Sequence, residues 1–461
     1  MIIKKRKKEQ KNMKIRTKNE KIMQKNQKYT IKIVDYGANG EGVAKVDGYI
    51  VFVPFAIVGE TVEILIIKQT KDYAVAKIVR IVEPDKDRVV APCQYYQKCG
   101  GCQLQHIKYG KQLEYKTKLV RDTILKYVKT NANVCDCVAS ENQYNYRNKF
   151  AFPVEEKDGK ICVGMYRPFS HDVVEIEECK IQQESKYIID AFLDYAKKYD
   201  IKAKSDGNFD GVKHIVARNN GNSLLLVIVS TQKLRHIDYL YQKLTKKYKV
   251  VSIVNNINTK NNNVILGDKD IVCFGDGFLE YKEFGVDYVI GPHSFLQVND
   301  DVKTKLYSAV LDNIEKSDVV IDGYSGAGLL SAIMAKKCKK VFAVEIVKEA
   351  VESAKALARQ NYIENLESIL GDCAIELPKI LRKEKATTVV LDPPRKGCDE
   401  KVLNAIVESG VQKVVYVSCN PATLARDMNT LLQNYEIVRI VPFDMFPQTA
   451  NVETLAIFRK K

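Results

Sequence analysis

No apolar run in these 461 residues approaches the roughly 18 that a membrane-spanning helix needs. The N-terminus is charged and carries no apolar h-region, which excludes the usual secretory signal. Internal repeats are absent. Histidine is scarce, at five residues, and His171, His214 and His236 stand at no metal-ligand spacing, so they read as structural. Without export, the twelve cysteines argue against a disulfide framework and for metal binding or catalysis. These absences together point to a cytoplasmic protein, and the length suits two or three domains.

What is present is positive charge. The formal net charge is +16 and the sequence pI about 9.1, a balance that suits a polyanionic partner. Its distribution is uneven: residues 1–28 hold twelve Lys or Arg against Glu9 and Glu20, hence +10, and the rest is mildly basic at +6. This Lys/Asn/Gln-rich stretch reads as a disordered, solvated arm. It is expected to add nonspecific, salt-sensitive RNA affinity and to be dispensable for chemistry.

From Tyr29 to about Val90 the pattern is strands punctuated by glycine. Five are predicted, at 31–34, 43–46, 49–53, 61–68 and 74–82, with no helix, and they read as a small barrel of the OB type. Such barrels bind single-stranded nucleic acid through basic grooves and aromatic platforms. Residues 91–288 read as a mixed α/β domain. It opens on Cys93, Cys99 and Cys102, three thiols in ten residues, with Gly100-Gly101 allowing a tight wrap. Zinc and iron–sulfur suit this density equally by spacing; Cys179 is the best fourth ligand, and His106 could substitute. Cys135 and Cys137 read as packing thiols. Lys108–Lys129 has the apolar period of a helix, expected to pack on the catalytic domain. Strands are expected at 149–154, 214–218 and 224–230. Tyr146-Arg147-Asn148-Lys149 and Tyr166-Arg167-Pro168 supply cations beside aromatics, fit for RNA backbone contact and base stacking.

Residues 289–461 read as a nucleotide-cofactor domain. Val319-Val320-Ile321-Asp322 is a buried strand followed by the glycine turn Gly323-Tyr324-Ser325-Gly326-Ala327-Gly328 and a helix. The spacing G-x-x-G-x-G favours S-adenosylmethionine over a dinucleotide. Val341–Glu345 ends a second strand on a carboxylate placed to bond ribose hydroxyls. Leu370-Gly371-Asp372 caps a third strand. Thr388–Leu391 leads into Asp392-Pro393-Pro394-Arg395-Lys396-Gly397, where the prolines fix the backbone and aim Asp392 at a planar base. Val414–Val417 ends on Ser418-Cys419-Asn420-Pro421, a thiol at the carboxyl end of a strand and a candidate nucleophile. Glu453 enters the last, mostly apolar strand and becomes the candidate general base beside Cys419.

In this order the motifs resemble RNA uracil-5-methyltransferases of the RumA/RlmD and RlmCD type, which modify 23S ribosomal RNA. The carriers are Cys93-x5-Cys99-Gly-Gly-Cys102, Tyr146-Arg-Asn-Lys149, Gly291-Pro-His-Ser-Phe-Leu-Gln297, Asp392-Pro-Pro-Arg-Lys-Gly397, Ser418-Cys-Asn-Pro421 and Val452-Glu-Thr454. The resemblance covers about residues 29–461. It implies an N-terminal TRAM domain, a central iron–sulfur domain with a 4Fe–4S cluster on Cys93, Cys99, Cys102 and Cys179, and a Rossmann-like S-adenosylmethionine-dependent methyltransferase domain. Gln297, Tyr324, Glu345 and Asp392 would then contact S-adenosylmethionine, with Cys419 and Glu453 catalytic. The implied substrate is 23S rRNA, bound by a monomer without an obligate protein partner. Competing readings are a transfer-RNA uracil-5-methyltransferase, an exocyclic-amine methyltransferase, and an RNA-binding iron–sulfur protein without catalysis.

Overall fold

The computed structural model describes residues 23–130, 132–205, 210–248 and 250–461. The expected basic arm therefore lies, for residues 1–22, outside the described residues. The chain divides into two compact units.

The first unit takes the chain through Gln97, with Gly101–Tyr115 and Gln448–Ala450. Alternating β-branched residues build its sheet: in the strand Thr61–Gln69, Val62, Ile64 and Ile66 are buried while their neighbours are not. Six strands form, one more than predicted. The extra one is the two-residue Asp35–Tyr36, paired with Gly42–Val46. It sits at one edge of the sheet, and Lys28–Lys32 sits at the other. Only Ile33 and Val34 separate these two edge strands in sequence, so the chain itself draws the edges together. Met23 is buried in this core, so the ordered fold begins before Tyr29. Beneath the sheet Glu60 is fully buried, and Arg88 holds it through Nε–Oε1 (2.5 Å) and Nη2–Oε2 (2.7 Å).

The second unit holds the rest of the chain and has two large sheets. In the first, the three predicted central strands appear as Lys149–Lys157, Val212–Asn219 and Ser223–Ser230, the first two antiparallel neighbours. The second sheet carries seven strands: β1 Val319–Gly323, β2 Lys340–Glu345, β3 Leu366–Leu370, β4 Thr388–Leu391, β5 Lys413–Ser418, β6 Tyr435–Phe443 and β7 Glu453–Lys460. Their order is β3-β2-β1-β4-β5-β7-β6. The first five are parallel, and β7 inserts antiparallel between β5 and β6. The Val-rich runs of β1, β4 and β5 match strands covered on both faces. One face packs Leu377, Leu403 and Leu424 with Val120 and Ile124 of the helix Tyr109–Val128; the other packs Val302, Leu306, Leu330 and Met334. Chain progression reverses between β1 and β4, and the crevice at their carboxyl ends is where such sheets bind ligands. Cys135 and Cys137 are packing thiols, as expected. The Cys135 N–H bonds Ile440 O, and Cys137 is buried with its N–H on Thr117 Oγ1.

Candidate active site

The carboxyl ends of β1, β2, β4 and β5 and the start of β7 converge on one crevice. At β1, Gly326 (φ 55°) and Gly328 (φ 79°) take left-handed backbone conformations. A Cβ on Gly328 would fall 2.6 Å from Ala354 Cβ, so the turn must stay bare there for the next helix to pack. Beside Gly326 there is open space, so a ligand can approach the turn closely there. Asp322, 2% exposed, accepts from Ser331 Oγ at 2.5 Å. Burial raises its pKa to about 7 despite that bond, with Asp392 and Glu345 adding to the rise.

Glu345 ends β2 and is pinned by three backbone donors: Gly326 N–H on Oε2 (3.0 Å), and Ile346 and Val347 N–H on Oε1 (2.9 Å each). Carboxylate lone pairs remain for further donors. Ile346 is 64% exposed next to it, an apolar surface at the lip of the crevice. Asp372, in the predicted third-strand cap, accepts from Ala374 N–H (2.9 Å) and caps the helix Cys373–Lys383.

The pair expected to be catalytic sits at β5 and β7. The register sets Ser418 opposite Thr454, so the next residue along β5, Cys419, meets the end of β7 that carries Glu453. Cys419 is half-buried, one residue before Asn420, which caps the helix Pro421–Leu431 through Ala422 N–H (3.1 Å). Burial raises the thiol's pKa; Glu453 and Asp392 raise it further and Arg395 opposes them. Glu453 is 2% exposed, and burial, then Asp392, push its pKa well above the usual carboxylate range, against the pull of Arg395. Asp392, half-buried, is raised by burial to about 7. These mutual influences bring Cys419, Glu453, Asp392 and Arg395 together at one site.

A hydrogen-bond network, buried around Asp427 and exposed at Arg395, fixes the Asp392–Gly397 turn. Arg395 O accepts from Asn420 Nδ2 (3.2 Å) and Thr423 Oγ1 (3.3 Å). Asp427 accepts from Cys398 N–H (2.8 Å), Tyr416 OH (2.6 Å) and Arg426 Nε (2.8 Å). Gln297 is buried, and its backbone carbonyl accepts from Asn148 Nδ2 (3.2 Å). Tyr324 is half-buried, with φ 66°, and packs against the core near Cys373 and Cys398. Phe295, two residues before Gln297, stands 75% exposed.

Cys93, Cys99, Cys102 and Cys179 are half-buried and not disulfide-bonded, which suits soft-metal ligation. Yet among the described residues no group of three or more His, Cys, Asp or Glu stands as a metal site. The cluster therefore stands as a proposal, and no chemistry is routed through it. Sequence reasoning missed Arg395 as the cation acting on both Cys419 and Glu453, and Asp322 as a third buried acid. A cation three residues beyond Asp392, in a turn closed by Gly397, was the available signal.

Residues 108–461 match the family described as tRNA (Uracil-5-)-methyltransferase, and residues 23–79 match the TRAM domain. Similar curated proteins include one from Clostridium tetani, described as an uncharacterized RNA methyltransferase, 39% identical over 93% of this chain and 95% of its own. Another with the same description, from Halalkalibacterium halodurans, is 38% identical over 94% and 96%. Among solved structures, the Pyrococcus abyssi tRNA (uracil-54, C5)-methyltransferase in complex with S-adenosyl-L-homocysteine superimposes with a TM-score of 0.75 at 26% identity, covering 93% of this chain and 99% of that one.

Proposed function

The chain belongs to the tRNA (uracil-5-)-methyltransferase family and carries a TRAM domain, and from that premise we propose that it methylates C5 of uridine in 23S rRNA through a covalent Cys419 adduct. The observation carrying this reading is the pairing of a half-buried thiol with a buried carboxyl, Cys419 with Glu453, across β5 and β7. An exocyclic-amine methyltransferase needs neither group.

S-adenosylmethionine, when bound, supplies the electrophilic methyl group. The bare turn at Gly326, the pinned carboxylate of Glu345 and the exposed Ile346 fit its backbone-contacting, ribose and adenine parts. Gln297, Tyr324 and Asp392 complete the proposed contacts. Uracil C5 is a poor nucleophile until the ring's conjugation is broken. Cys419 Sγ bonds to C6, and the displaced electron pair moves toward O4, where it makes C5 an enolate carbon. C5 then takes the methyl group, and Glu453 removes the C5 proton. The returning pair restores the C5–C6 double bond and expels the Cys419 thiolate. A raised carboxyl pKa makes Glu453 a stronger base once ionised. The thiol requires the opposite help, and Arg395 supplies it. Phe295 offers a ring for stacking on an extruded base. The four cysteines are proposed to hold a 4Fe–4S cluster, with no part in these steps; anaerobic purification with iron and sulfide assay tests it, and loss of signal in Cys102→Ser is expected.

Transfer RNA is the second reading, favoured by the Pyrococcus abyssi protein. Its superposition spans 93% of this chain, so the TRAM unit does not separate the two substrates. The test is to incubate the protein with S-adenosylmethionine and unmethylated 23S or transfer RNA, then identify the product by mass spectrometry. 5-Methyluridine in 23S RNA is expected. The same product in transfer RNA alone would overturn the substrate, and N6-methyladenosine would overturn the mechanism.

A further inference from the structure

Two cations paired across a sheet and a third just beside them have no counter-charge among the described residues. Lys149 opens the strand Lys149–Lys157, and in the antiparallel register it lies directly opposite Arg218. Arg147, two residues earlier and just outside the strand, lies close enough to act on the Lys149 charge, and its Nε bonds Lys149 O (3.0 Å). Like charges placed opposite each other across a ladder destabilise it. Here one of them is also deeply buried: Arg218 is 2% exposed, and only its Nη2 is satisfied, by Ser294 O, while Nε and Nη1 have no partner. Lys149 carries the strain electrostatically, its pKa lowered to about 8 by burial, then by Arg218 and Arg147. Among the described residues none of the three is ion-paired. The carboxylates of Glu283 and Asp300 are taken by Lys303 (2.8 and 2.9 Å).

A folded protein that keeps three uncompensated cations together loses stability in the free state and regains it when an anion arrives. The site's position says which anion. Asn148, between Arg147 and Lys149, donates its N–H to Val298 O (2.8 Å) and its Nδ2 to Gln297 O (3.2 Å). The cations are thereby fastened to the loop that carries exposed Phe295 and buried Gln297. We propose that Lys149 and Arg147, backed by Arg218, bind a backbone phosphate of the substrate RNA beside the nucleotide to be modified. This deepens the RNA-methyltransferase reading and rests on it for the identity of the polyanion. Lys149 and Arg147, both partly exposed, meet the phosphate; Arg218 reinforces their field from behind and anchors the loop through Ser294.

The test is Lys149→Met, which keeps the apolar stem and removes the charge. Three readouts are taken: thermal midpoint of the free protein, affinity for a uridine-containing RNA oligonucleotide across a salt series, and affinity for S-adenosylhomocysteine. The free variant is expected to melt a few degrees higher than the parent protein. Its RNA affinity should fall roughly tenfold at low salt, and the slope of log K against log salt should flatten by about 0.7, the value for one single-strand phosphate contact. S-adenosylhomocysteine binding should be unchanged. A lower melting point with unaltered RNA affinity and slope would mean a structural lysine and overturn the proposal. Loss of S-adenosylhomocysteine affinity with RNA binding intact would also overturn it, giving the cations to the cofactor's carboxylate. Failure of the functional reading looks different. The parent protein would then make no 5-methyluridine, while Lys149→Met would still flatten the salt slope.

Discussion

At the scale of single residues, the proposed mechanism gives Cys419 and Glu453 separable duties. Cys419→Ala removes the group proposed to activate C5, so 5-methyluridine formation should fall to background while RNA still binds. Glu453→Gln keeps the thiol and loses the base. It should trap the methylated adduct as a protein–RNA band that survives denaturing gel electrophoresis and resolves slowly. Normal transfer by Cys419→Ala would sink the thiol mechanism. Both groups must lose a proton to work and both have raised pKa values, so kcat/KM should climb with pH through neutrality. Stability should run the other way. Asp322 moves from an ordinary 3.8 to about 7 on folding, so the fold binds its proton more tightly than the open chain does. The stability this contributes is full below about pH 4 and is lost as pH rises through about 7. Asp322→Asn, which can still accept from Ser331, should therefore gain a few kcal/mol over the parent near pH 8 and much less near pH 5, read from urea melts at both values.

At the scale of elements, the sequence made the strands legible and hid their order. Runs such as Val319–Ile321 and Val414–Val417 declare buried strands by composition, and the glycine turn and the Asp392 turn mark their carboxyl ends. Nothing local says that β7 turns back between β5 and β6, yet that insertion is what sets Glu453 against Cys419. Read by itself, Glu453 is a charge beside a strand. The same limit hid the cationic face, because Lys149 and Arg218 become neighbours only through an antiparallel register. Where an element is tied by a buried charge, a test follows. Asp427 holds the Cys398 N–H, Tyr416 OH and Arg426 that fix the Asp392–Gly397 turn. Asp427→Ala leaves Tyr416 and the Cys398 N–H buried without partners and should cost about 3 kcal/mol in denaturant titration. It should also slow methyl transfer with RNA affinity little changed, since Asp392 and Arg395 would lose their fixed aim. An unaltered rate would mean that the turn holds its shape without this network.

At the scale of the whole molecule, charge and chemistry are distributed unequally along the chain. Residues 1–22 hold ten Lys or Arg against Glu9 and Glu20, a net +8 that is half of the +16 total. The remaining net +8 belongs to the chain that carries the crevice and the Arg147–Lys149–Arg218 cluster. Counterion release makes every phosphate neutralised by a cation count toward affinity and salt dependence, whether or not it lies near the reacting base. Deleting residues 1–22 should therefore weaken binding to unrelated RNA and lower its salt slope. At saturating substrate the rate of 5-methyluridine formation should be unchanged, because none of the proposed reacting groups is removed. Lys149→Met provides the contrast, since it removes one charge beside the site and should weaken cognate RNA more than the loss of one charge from the arm. The arm and the site are distinguished by comparing the two proteins on cognate and unrelated RNA. A truncated protein whose saturated rate collapsed would place the arm in the chemistry and end the division argued from the charge distribution.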